Sequence, residues 1–439
     1  MDHDHSKNRK KGRRKPGRPV YIFAGIVACL AVVAGVWLSN EYKLRKSIEA
    51  ANKTAEYTAP APETITPEEM NQQLKDAGMT MDESGNVGLE GVDMNRLMEM
   101  MQSAMSESKG TLPGGTLPEG EVPEIKCRKT ENGTLVYNIN GWDTTERPDL
   151  FSGKELYYNG KHYKRNTAIK AWLILGVDNK GSLQIDRDIS EIGLSDGIFL
   201  VAENTAKNRV HIIQIPRDTM TIITDTDENS DPIGYRLDHL TRAWMYGDNH
   251  EKSGKYAVEA VSKVMGGIKI NGYMAGSIDV INELNNYIGG VEVTIEDDGL
   301  EVADPEFVKG ATVLLTGDQA EKFVRRRDVD VRYTAMTRMS RHRQYAIAFE
   351  NKVAELAKRD SDVVPGIFSL IEDNIQTDMD KGTYLKIAMD AALGEPLSDK
   401  DFSTFEGKNL FNEEEQLDEF WPDYEQVDQL ILDTFFREV

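Results

Sequence analysis

Cysteine is scarce in this chain, and the patterns of several familiar catalytic sites are missing. Only Cys29 and Cys127 occur among 439 residues, which excludes a framework of several disulfides. The seven histidines are scattered, without the spacing of metal ligands. HExxH, P-loop lysine and CxxC patterns are absent. We therefore predict no zinc protease and no P-loop nucleotidase, and we also expect no serine-hydrolase elbow of the GxSxG type.

Positive charge is scarce over most of the chain. The net charge is −22, and because the first 46 residues carry +8, the remaining 393 carry −30. A domain of that charge repels nucleic acid, so we predict no nucleic-acid partner. A cluster of basic residues within the acidic part must therefore serve a local site or be paired with nearby acidic side chains.

A long apolar run occurs once, near the N-terminus. Residues 1–19 hold eight Lys or Arg against two Asp, and residues 20–38 carry no charge. A run of that length crosses roughly 30 Å of hydrocarbon. By the positive-inside rule we predict a cytoplasmic tail at 1–19, a single transmembrane helix at 20–38 and an extracellular remainder, anchored in the cell membrane. A cleaved signal peptide is the alternative, although its apolar region is typically shorter.

Composition divides the extracellular part. Residues 39–125 contain Pro- and Gly-rich stretches around two short helical patterns, so we predict a stalk. Composition turns globular after it, which predicts a small strand-rich extension at 126–165 and a larger domain at 166–439. Cys127 is then separated from Cys29 by the membrane, and we expect an ordinary, partly buried thiol.

Strands and helices alternate through the globular part. Asn159-Gly160 predicts a hairpin turn. Apolar runs of strand length occur at 172–178, 197–204, 209–216 and 289–295, and helical patterns at 254–266, 275–287 and 337–358. A further helix begins at Thr316, and the acidic C-terminal region ends in a helix packed by Leu430, Ile431, Phe435 and Phe436. We predict an α/β fold with a mixed central sheet flanked by helices.

Charged residues lie at the ends of the predicted strands. Asp178 ends one strand, Asp196 begins the next, and Arg217 and Asp218 follow the third. Strand ends are where α/β folds bind ligands. A second group contains Arg325, Arg327, Arg338 and Arg341. Guanidinium groups that converge with two carboxylates suit a diphosphate and a hard cation such as Mg²⁺. A solvated basic face with ordinary salt bridges is the alternative.

Several motifs occur together in a fixed order. They are ILGVD, SD before an apolar strand, IPRDT, NGYMAGSIDVINELNNYIGGVEV, LTGDQAEKFVRRRD and RMSRHRQY. In order and spacing the chain resembles the LytR-CpsA-Psr family over about residues 166–355, and IPRDT and GGVEV are the most specific blocks.

The resemblance implies a function. Members of that family are membrane-anchored phosphotransferases that move a glycopolymer from an undecaprenyl-pyrophosphate carrier to peptidoglycan, with the polyprenyl tail in an apolar pocket between sheet and helices. It implies a magnesium site, possible also for Mn²⁺, at Asp178 and Asp196. It implies catalytic roles for Arg217, Asp218 and Arg325. The pyrophosphate ligands that it implies are Arg217, Arg325, Arg327, Arg338, Arg341 and Gln344.

Two positions depart from the family pattern. Leu194 stands where Arg usually precedes Ser-Asp, and Arg187 is a candidate replacement. His342 stands where Gln often follows the helix arginine, which leaves Gln344 as the candidate amide ligand. A polyprenyl-phosphate or glycan-binding module without turnover, or a regulatory envelope protein, therefore stays open as an alternative function.

Overall fold

The computed structural model describes residues 122–130, 134–145, 147–183, 191–207, 209–326, 334–392 and 395–439, and two short strands before them. The predicted cytoplasmic tail, the predicted transmembrane helix at 20–38 and nearly all of the predicted stalk lie outside these residues. Within the described ranges, no helix combines the length and the hydropathy that crossing a bilayer requires.

The described part contains short strands and mostly short helices. The strands are β1 (Thr80–Met81), β2 (Val87–Gly88), β3 (Glu124–Lys129), β4 (Leu135–Ile139), β5 (Trp142–Thr144), β6 (Glu155–Tyr158), β7 (Lys161–Arg165), β8 (Ile169–Val177), β9 (Ser195–Asn204), β10 (Arg209–Gln214), β11 (Met220–Thr226), β12 (Pro232–His239), β13 (Gly272–Ser277), β14 (Val291–Thr294), β15 (Thr312–Leu315), β16 (Ile375–Thr377), β17 (Phe402–Thr404), β18 (Gly407–Asn412), β19 (Leu417–Pro422) and β20 (Phe436–Glu438). The helices are α1 (Glu251–Val264), α2 (Val280–Tyr287), α3 (Gly317–Arg325), α4 (Ala335–Ala357), α5 (Val363–Ile371), α6 (Lys381–Ala392) and α7 (Tyr424–Phe435).

The central sheet has the strand order β16-β13-β8-β9-β10-β17. The pairs β13/β8 and β10/β17 are parallel, whereas β8/β9, β9/β10 and β13/β16 are antiparallel. The predicted mixed α/β sheet is therefore confirmed.

Both faces of this sheet are covered. In β8, Trp172 and Ile174 pack in a core with helices α2 to α6, whereas Leu173 and Leu175 pack in a second core with α1 and α7. A strand buried on both faces needs apolar residues at every position. This explains the continuous apolar run at 172–178.

The strand-rich extension is completed by the end of the chain. A second sheet has the order β20-β7-β6-β3-β4-β5, and its edge strand β20 pairs antiparallel with β7. Ile125 and Leu156 of this sheet pack in the same core as Leu173 of the central sheet. The extension thus shares its core with the larger domain.

The turn and cap predictions hold in the structure. The hairpin at Asn159 and Gly160 is confirmed, with φ of 48° and 80°, the left-handed pair that such a turn needs. Thr316 begins α3 through a capping box with Gln319, which confirms the predicted start of that helix.

Two element predictions were wrong in detail. The helix predicted at 275–287 is split, because Gly272–Ser277 pairs with β8 as strand β13 and the helix begins only at Val280. This strand is buried throughout and therefore shows no alternation. The C-terminal helix ends at Phe435, and Phe436 begins β20.

Two hairpins project beside the central sheet. One is β11–β12 and the other is β18–β19, and both are antiparallel. A parallel bridge between Thr219 and Phe420 joins them. Because β11 begins directly after Thr219, the first hairpin starts from the segment that follows β10, and the bridge places β19 of the second hairpin beside that segment.

Candidate active site

A β-bulge positions Asp196 at the start of β9. Gly176 of β8 pairs with Gly197, but the next residue, Val177, pairs with Ser195. Asp196 is therefore an extra residue in the ladder. Such a bulge redirects a side chain, and bulges are frequent beside active sites.

The bulge decides which face of the sheet Asp196 reaches. Strict alternation would place it on the side of Ile198 and Leu200, which pack in the core with α1 and α7. Instead Oδ2 of Asp196 accepts a hydrogen bond of 3.2 Å from Nη1 of Arg338 on α4, a helix that packs on the opposite face. The Asp196 carboxylate is thus turned toward α4.

The segment after β10 turns sharply and brings Arg217 to the same carboxylate. The hydroxyl of Thr219 donates to the carbonyl of Pro216 at 2.6 Å, which closes the turn. Nε of Arg217 donates to Oδ1 of Asp218 at 2.9 Å, and Nη1 donates to Oδ1 of Asp196. Arg217 therefore binds one carboxylate on its own turn and one on β9.

We call the four side chains that meet here the Asp196 cluster: Asp196, Arg217, Asp218 and Arg338. Its side chains are nearly excluded from solvent. Burial alone would lower the pKa of Arg217, but the charges of Asp196 and Asp218, and then of Asp178, raise it above its usual value. Arg217 is therefore a permanent cation within electrostatic range of three carboxylates.

Asp178 is held by the backbone of Leu194, the residue that stands where the family usually has arginine. Oδ1 of Asp178 accepts the amide proton of Leu194 at 2.5 Å, and the amide of Asp178 donates to the carbonyl of Leu194 at 3.0 Å. A Cβ at Gly193 would lie 1.9 Å from Oδ1 of Asn179 and 2.3 Å from Oδ1 of Asp178, so a larger residue here would displace both side chains. The backbone of Leu194 thus orients Asp178, whatever side chain stands there.

The predicted ligands Arg325 and Arg341 have other partners in this structure. Arg325 forms an ion pair with Glu321, one turn earlier on α3. Nε of Arg341 donates to the carbonyl of Phe323 at 2.9 Å, and Nη1 donates to Asp297 at 2.5 Å. Burial lowers the pKa of Arg341, against the opposing effect of Asp297. Arg341 therefore ties α4 to the end of α3.

Gln344 and His342 also make structural contacts. Nε2 of Gln344 donates to the carbonyl of Thr294 at 2.7 Å. Nε2 of His342 donates to the carbonyl of Val324 at 3.2 Å, and burial, aided by the nearby arginines, lowers the pKa of His342 well below its usual value. The imidazole is therefore neutral and serves as a donor to α3.

Two predicted residues cannot be placed. Arg327, a predicted pyrophosphate ligand, and Arg187, the candidate replacement for the missing arginine, lie outside the described residues. Their roles stay predictions.

The carboxylates can be compared with what a magnesium ion needs. In the described part of the chain, no group of three or more His, Cys, Asp or Glu side chains could hold a metal ion. Mg²⁺ usually takes one or two protein carboxylates and fills its remaining positions with water and substrate phosphates. Asp178 and Asp196 supply carboxylates of that kind at neighbouring strand ends. This donor set suits a cation that is shared with a bound diphosphate, and the metal stays a prediction.

A GxSxG pattern does occur beside Asp196, so the expectation that the sequence lacks this pattern was wrong. Residues 193–197 read Gly-Leu-Ser-Asp-Gly, which is the GxSxG spacing of a serine-hydrolase elbow. The hydroxyl of Ser195 donates to the carbonyl of Thr241 at 3.1 Å, and the hydroxyl of Thr241 donates to the carbonyl of Ser195 at 3.0 Å. Ser195 thus lies buried in β9 and locks the segment Leu240–Ala243 to it, a structural role rather than a nucleophilic one.

Comparison with known proteins identifies relatives of this chain. A protein of Bacillus mycoides (strain KBAB4) named polyisoprenyl-teichoic acid–peptidoglycan teichoic acid transferase TagU is 28% identical over 207 residues, 47% of this chain and 59% of its own. A protein of the same name from Oceanobacillus iheyensis is 27% identical over 254 residues, 56% of this chain and 71% of its own. The chain thus spans about three fifths of the length of the first of these relatives.

Solved structures and a family match extend the comparison. A crystal structure of B. subtilis TagV is 19% identical with a TM-score of 0.45, covering 61% of this chain and 96% of that chain. TagT bound to LIIa-WTA is 18% identical with a TM-score of 0.44, covering 61% and 89%. Residues 143–430, about two thirds of the chain, match the LytR_cpsA_psr family. The resemblance predicted from the ordered motifs is therefore confirmed, and the chain belongs to the LytR_cpsA_psr family.

Proposed function

We propose that this protein is a magnesium-dependent phosphotransferase that moves a glycopolymer from a polyprenyl-pyrophosphate carrier to peptidoglycan. The observation that carries the proposal is the Asp196 cluster, in which two guanidinium groups meet at one buried carboxylate. Arg338 comes to it from a position 142 residues away in the sequence. The names of the relatives, which describe transfer of teichoic acid to peptidoglycan, support the same substrate class.

The two arginines suit the chemistry of a diphosphate. Splitting a pyrophosphate concentrates negative charge on the leaving phosphate, and donors fixed in a site with little water stabilise that charge strongly. Arg217 and Arg338 present fixed donors of this kind, and a phosphate oxygen accepts from a guanidinium much as a carboxylate does. We propose that phosphate oxygens take over part of the bonding that Asp196 makes in the structure.

The transfer step needs a base. In the proposed reaction the C6 hydroxyl oxygen of an N-acetylmuramic acid attacks the phosphorus that carries the glycopolymer, and the bond from that phosphorus to the bridging oxygen breaks. Polyprenyl phosphate leaves. The hydroxyl proton goes to the carboxylate of Asp218, which is oriented by its hydrogen bond to Arg217.

Asp178 and Asp196 are the proposed cation ligands. A bound Mg²⁺, or Mn²⁺ in its place, would neutralise developing phosphate charge as a Lewis acid. The chain's own contribution is to keep the two carboxylates in place, through the Leu194 backbone for Asp178 and through the β9 bulge for Asp196. Arg325, Arg327, Arg341 and Gln344 remain proposed phosphate ligands by resemblance.

The proposed reaction belongs at a membrane surface, because its carrier is a lipid. We propose that residues 20–38 anchor the protein once, with the N-terminus in the cytoplasm and the domain outside. The polyprenyl tail would lie in an apolar pocket between the central sheet and its helices, which stays a prediction.

Binding without turnover is the second candidate function. The observation that favours it is Leu194, which supplies no guanidinium where the family usually has one. The two functions differ in whether a product forms.

Product release tests the proposal. The full-length protein in detergent should release polyprenyl phosphate from a polyprenyl-pyrophosphate glycan in the presence of Mg²⁺ and peptidoglycan, and should stop when EDTA is added. Donor binding without any release of polyprenyl phosphate would support the binding module instead.

A further inference from the structure

The two hairpins beside the Asp196 cluster present an exposed apolar face. Thr219 and Phe420 form a bridge and are both buried, so the residues that follow them, Met220 and Trp421, point to the other side. In β11 and β12, Ile222 lies opposite Leu237 on the side of Met220. Tyr235 lies two residues before Leu237 on the same side. We call the surface of Ile222, Tyr235, Leu237 and Trp421 the outer face.

The four side chains of the outer face are largely apolar, yet all of them are exposed to solvent. The exposed fractions are 43% for Ile222, 63% for Tyr235, 52% for Leu237 and 39% for Trp421. Adjacent exposed apolar side chains of this kind typically mark a binding surface rather than ordinary surface residues.

Tyr235 is held in one orientation despite its exposure. Its hydroxyl donates to Oε1 of Glu259 at 2.9 Å, and the ammonium nitrogen of Lys263 lies 3.5 Å from the ring centroid. Glu259 and Lys263 both belong to α1, and they also form an ion pair. One ring face is thus covered by a cation, while the high exposure of the side chain leaves the other face open.

Trp421 is held in a comparable way. Its indole Nε1 donates to Oε2 of Glu419 at 2.8 Å, two residues earlier on the same side of β19. The polar edges of both aromatic side chains are therefore bound within the protein. What they offer to a ligand is a pre-oriented ring surface.

The outer face lies close along both hairpins to the proposed catalytic base, Asp218. Met220 is two residues after Asp218, and the amide of Phe420 donates to the carbonyl of Asp218 at 2.7 Å. A molecule lying on the outer face can therefore extend toward Asp218 along either hairpin.

Charge argues against two possible occupants of the outer face. The turn between β11 and β12 carries Asp227, Glu228 and Asp231, and the turn between β18 and β19 carries Glu413, Glu414 and Glu415. An anionic lipid surface would be repelled by these turns. A second copy of the chain would bring identical acidic turns together.

We propose that the outer face binds the acceptor glycan, a chain of N-acetylated hexosamines whose rings stack on Tyr235 and Trp421. The C–H face of a pyranose ring is apolar and weakly positive, which suits the electron-rich face of an aromatic ring. The assignment of this glycan as the acceptor rests on the proposed function, whereas its binding to the outer face does not.

Sugar binding by the full-length protein in detergent tests the inference. The probe is chitotetraose, a soluble chain of four N-acetylglucosamine units, titrated by calorimetry. Tyr235→Ala and Trp421→Ala should each weaken binding about tenfold, since each removes one stacked ring. Tyr235→Phe should retain most of the affinity because it keeps the ring. Leu314→Ala is the matched control, because Leu314 is 59% exposed on β15, outside this face. The affinity of this variant for chitotetraose should equal that of the wild type.

The outcomes separate this inference from the proposed transfer. Arg217→Ala should bind chitotetraose normally, and loss of transfer with sugar binding intact would count only against the transfer proposal. Unchanged sugar affinity in both aromatic variants, or no binding by the wild type, would overturn the inference. A change in oligomeric state, or in binding to phosphatidylglycerol vesicles, with sugar affinity unchanged would overturn it in favour of a second copy or a lipid surface.

Discussion

Nη1 of Arg338 lies 3.2 Å from Oδ2 of Asp196, although 142 residues separate the two in sequence. The other carboxylate oxygen accepts from Arg217, so a single aspartate holds two guanidinium groups close together. All three side chains are nearly excluded from solvent. Buried charges need compensation: Asp196 is shared by both arginines, and Asp218 supplies a second negative charge beside Arg217. The pair of guanidinium groups is thus pre-assembled for a second anion.

Arg217→Ala should lower the rate of transfer about 10²- to 10³-fold, because removing one preorganised donor to developing charge typically costs roughly 2.7 to 4 kcal/mol of barrier. Arg217→Lys should recover only part of this loss, since a point charge cannot form the planar fork. The measurement is the initial rate of polyprenyl phosphate release with saturating donor.

Arg359→Ala is the control for this prediction. Arg359 is 73% exposed and pairs with Glu355 on the helix surface, so its loss should leave the rate unchanged. A wild-type rate in Arg217→Ala would remove the Asp196 cluster from the mechanism.

Arg341→Ala should destabilise the domain by about 1.5 to 3 kcal/mol, the typical value of hydrogen bonds from a charged donor. Arg341 donates to the carbonyls of Phe323 and Arg326 at the end of α3, where a helix leaves carbonyls unsatisfied. Asp297→Asn should cost less because it leaves both carbonyl bonds in place. Urea unfolding of the three proteins measures the difference.

Donor kinetics distinguish this structural role from the one that the resemblance implies. A ligand of the pyrophosphate would raise the KM for the donor in Arg341→Ala while the unfolding midpoint stayed that of the wild type. A lower unfolding midpoint in Arg341→Ala, with an equal loss of stability in Arg341→Lys, would support the role of Arg341 as a cap at the end of α3.

The sequence predicted those elements whose conformation follows from a local sequence rule. The hairpin at Asn159-Gly160, the cap at Thr316 and the strand at 172–178 each follow from turn chemistry, capping or continuous burial. The strand Gly272–Ser277 was missed because all of its residues are buried, so its sequence shows neither the strand alternation nor the helical period. Strand pairing with β8 decided its conformation, and that information is not local.

The candidate site was predictable in its residues but only partly in its geometry. Strand-end positions identified Asp178, Asp196 and Arg217. The bulge that turns Asp196 toward Arg338 depends on the register between β8 and β9, which a single sequence does not reveal. The same is true of Asp297, whose pairing with Arg341 crosses 44 residues.

Glu350 should make stability depend on pH. It is fully buried on α4 and accepts the amide of Leu397 at 3.1 Å, and burial raises its pKa from 4.5 to about 7. Between these two values the folded protein binds a proton that the unfolded chain releases, so its stability falls as pH rises. The stability present below about pH 4.5 should be lost by about pH 7, a change on the order of 3 kcal/mol.

Glu350→Gln should remove this part of the pH dependence and raise the free energy of unfolding at pH 8. Glu355→Gln on the same helix is the control, because Glu355 is 49% exposed and should behave as the wild type. Urea unfolding at pH 5.5 and pH 8 gives the comparison. Equal pH slopes in wild type and Glu350→Gln would contradict the buried-carboxyl explanation.

A buried ion pair connects the strand-rich extension to the C-terminal helix. Arg147 forms an ion pair with Asp428 of α7 and donates to the carbonyls of Lys263 and Val264, at 3.0 and 2.7 Å, where α1 ends. The hydroxyl of Tyr158 donates to Oδ2 of Asp428 at 3.1 Å. Burial raises the pKa of Asp428, and Arg147 opposes that rise. The pair therefore holds three parts of the fold together.

Arg147→Met should cost about 3 to 5 kcal/mol, because it leaves the Asp428 carboxylate buried without a countercharge. Adding Asp428→Asn to that variant should restore part of the stability, since an amide carries no charge to bury and can still accept from Tyr158. The single variant should also gain stability toward low pH, where the raised pKa of Asp428 lets the buried carboxylate take up a proton. Arg128→Met, which breaks an exposed pair with Asp143, should change little. Urea unfolding of all four proteins at two pH values is the measurement. If the double variant is less stable than Arg147→Met at both, lost packing rather than an unpaired charge accounts for the cost.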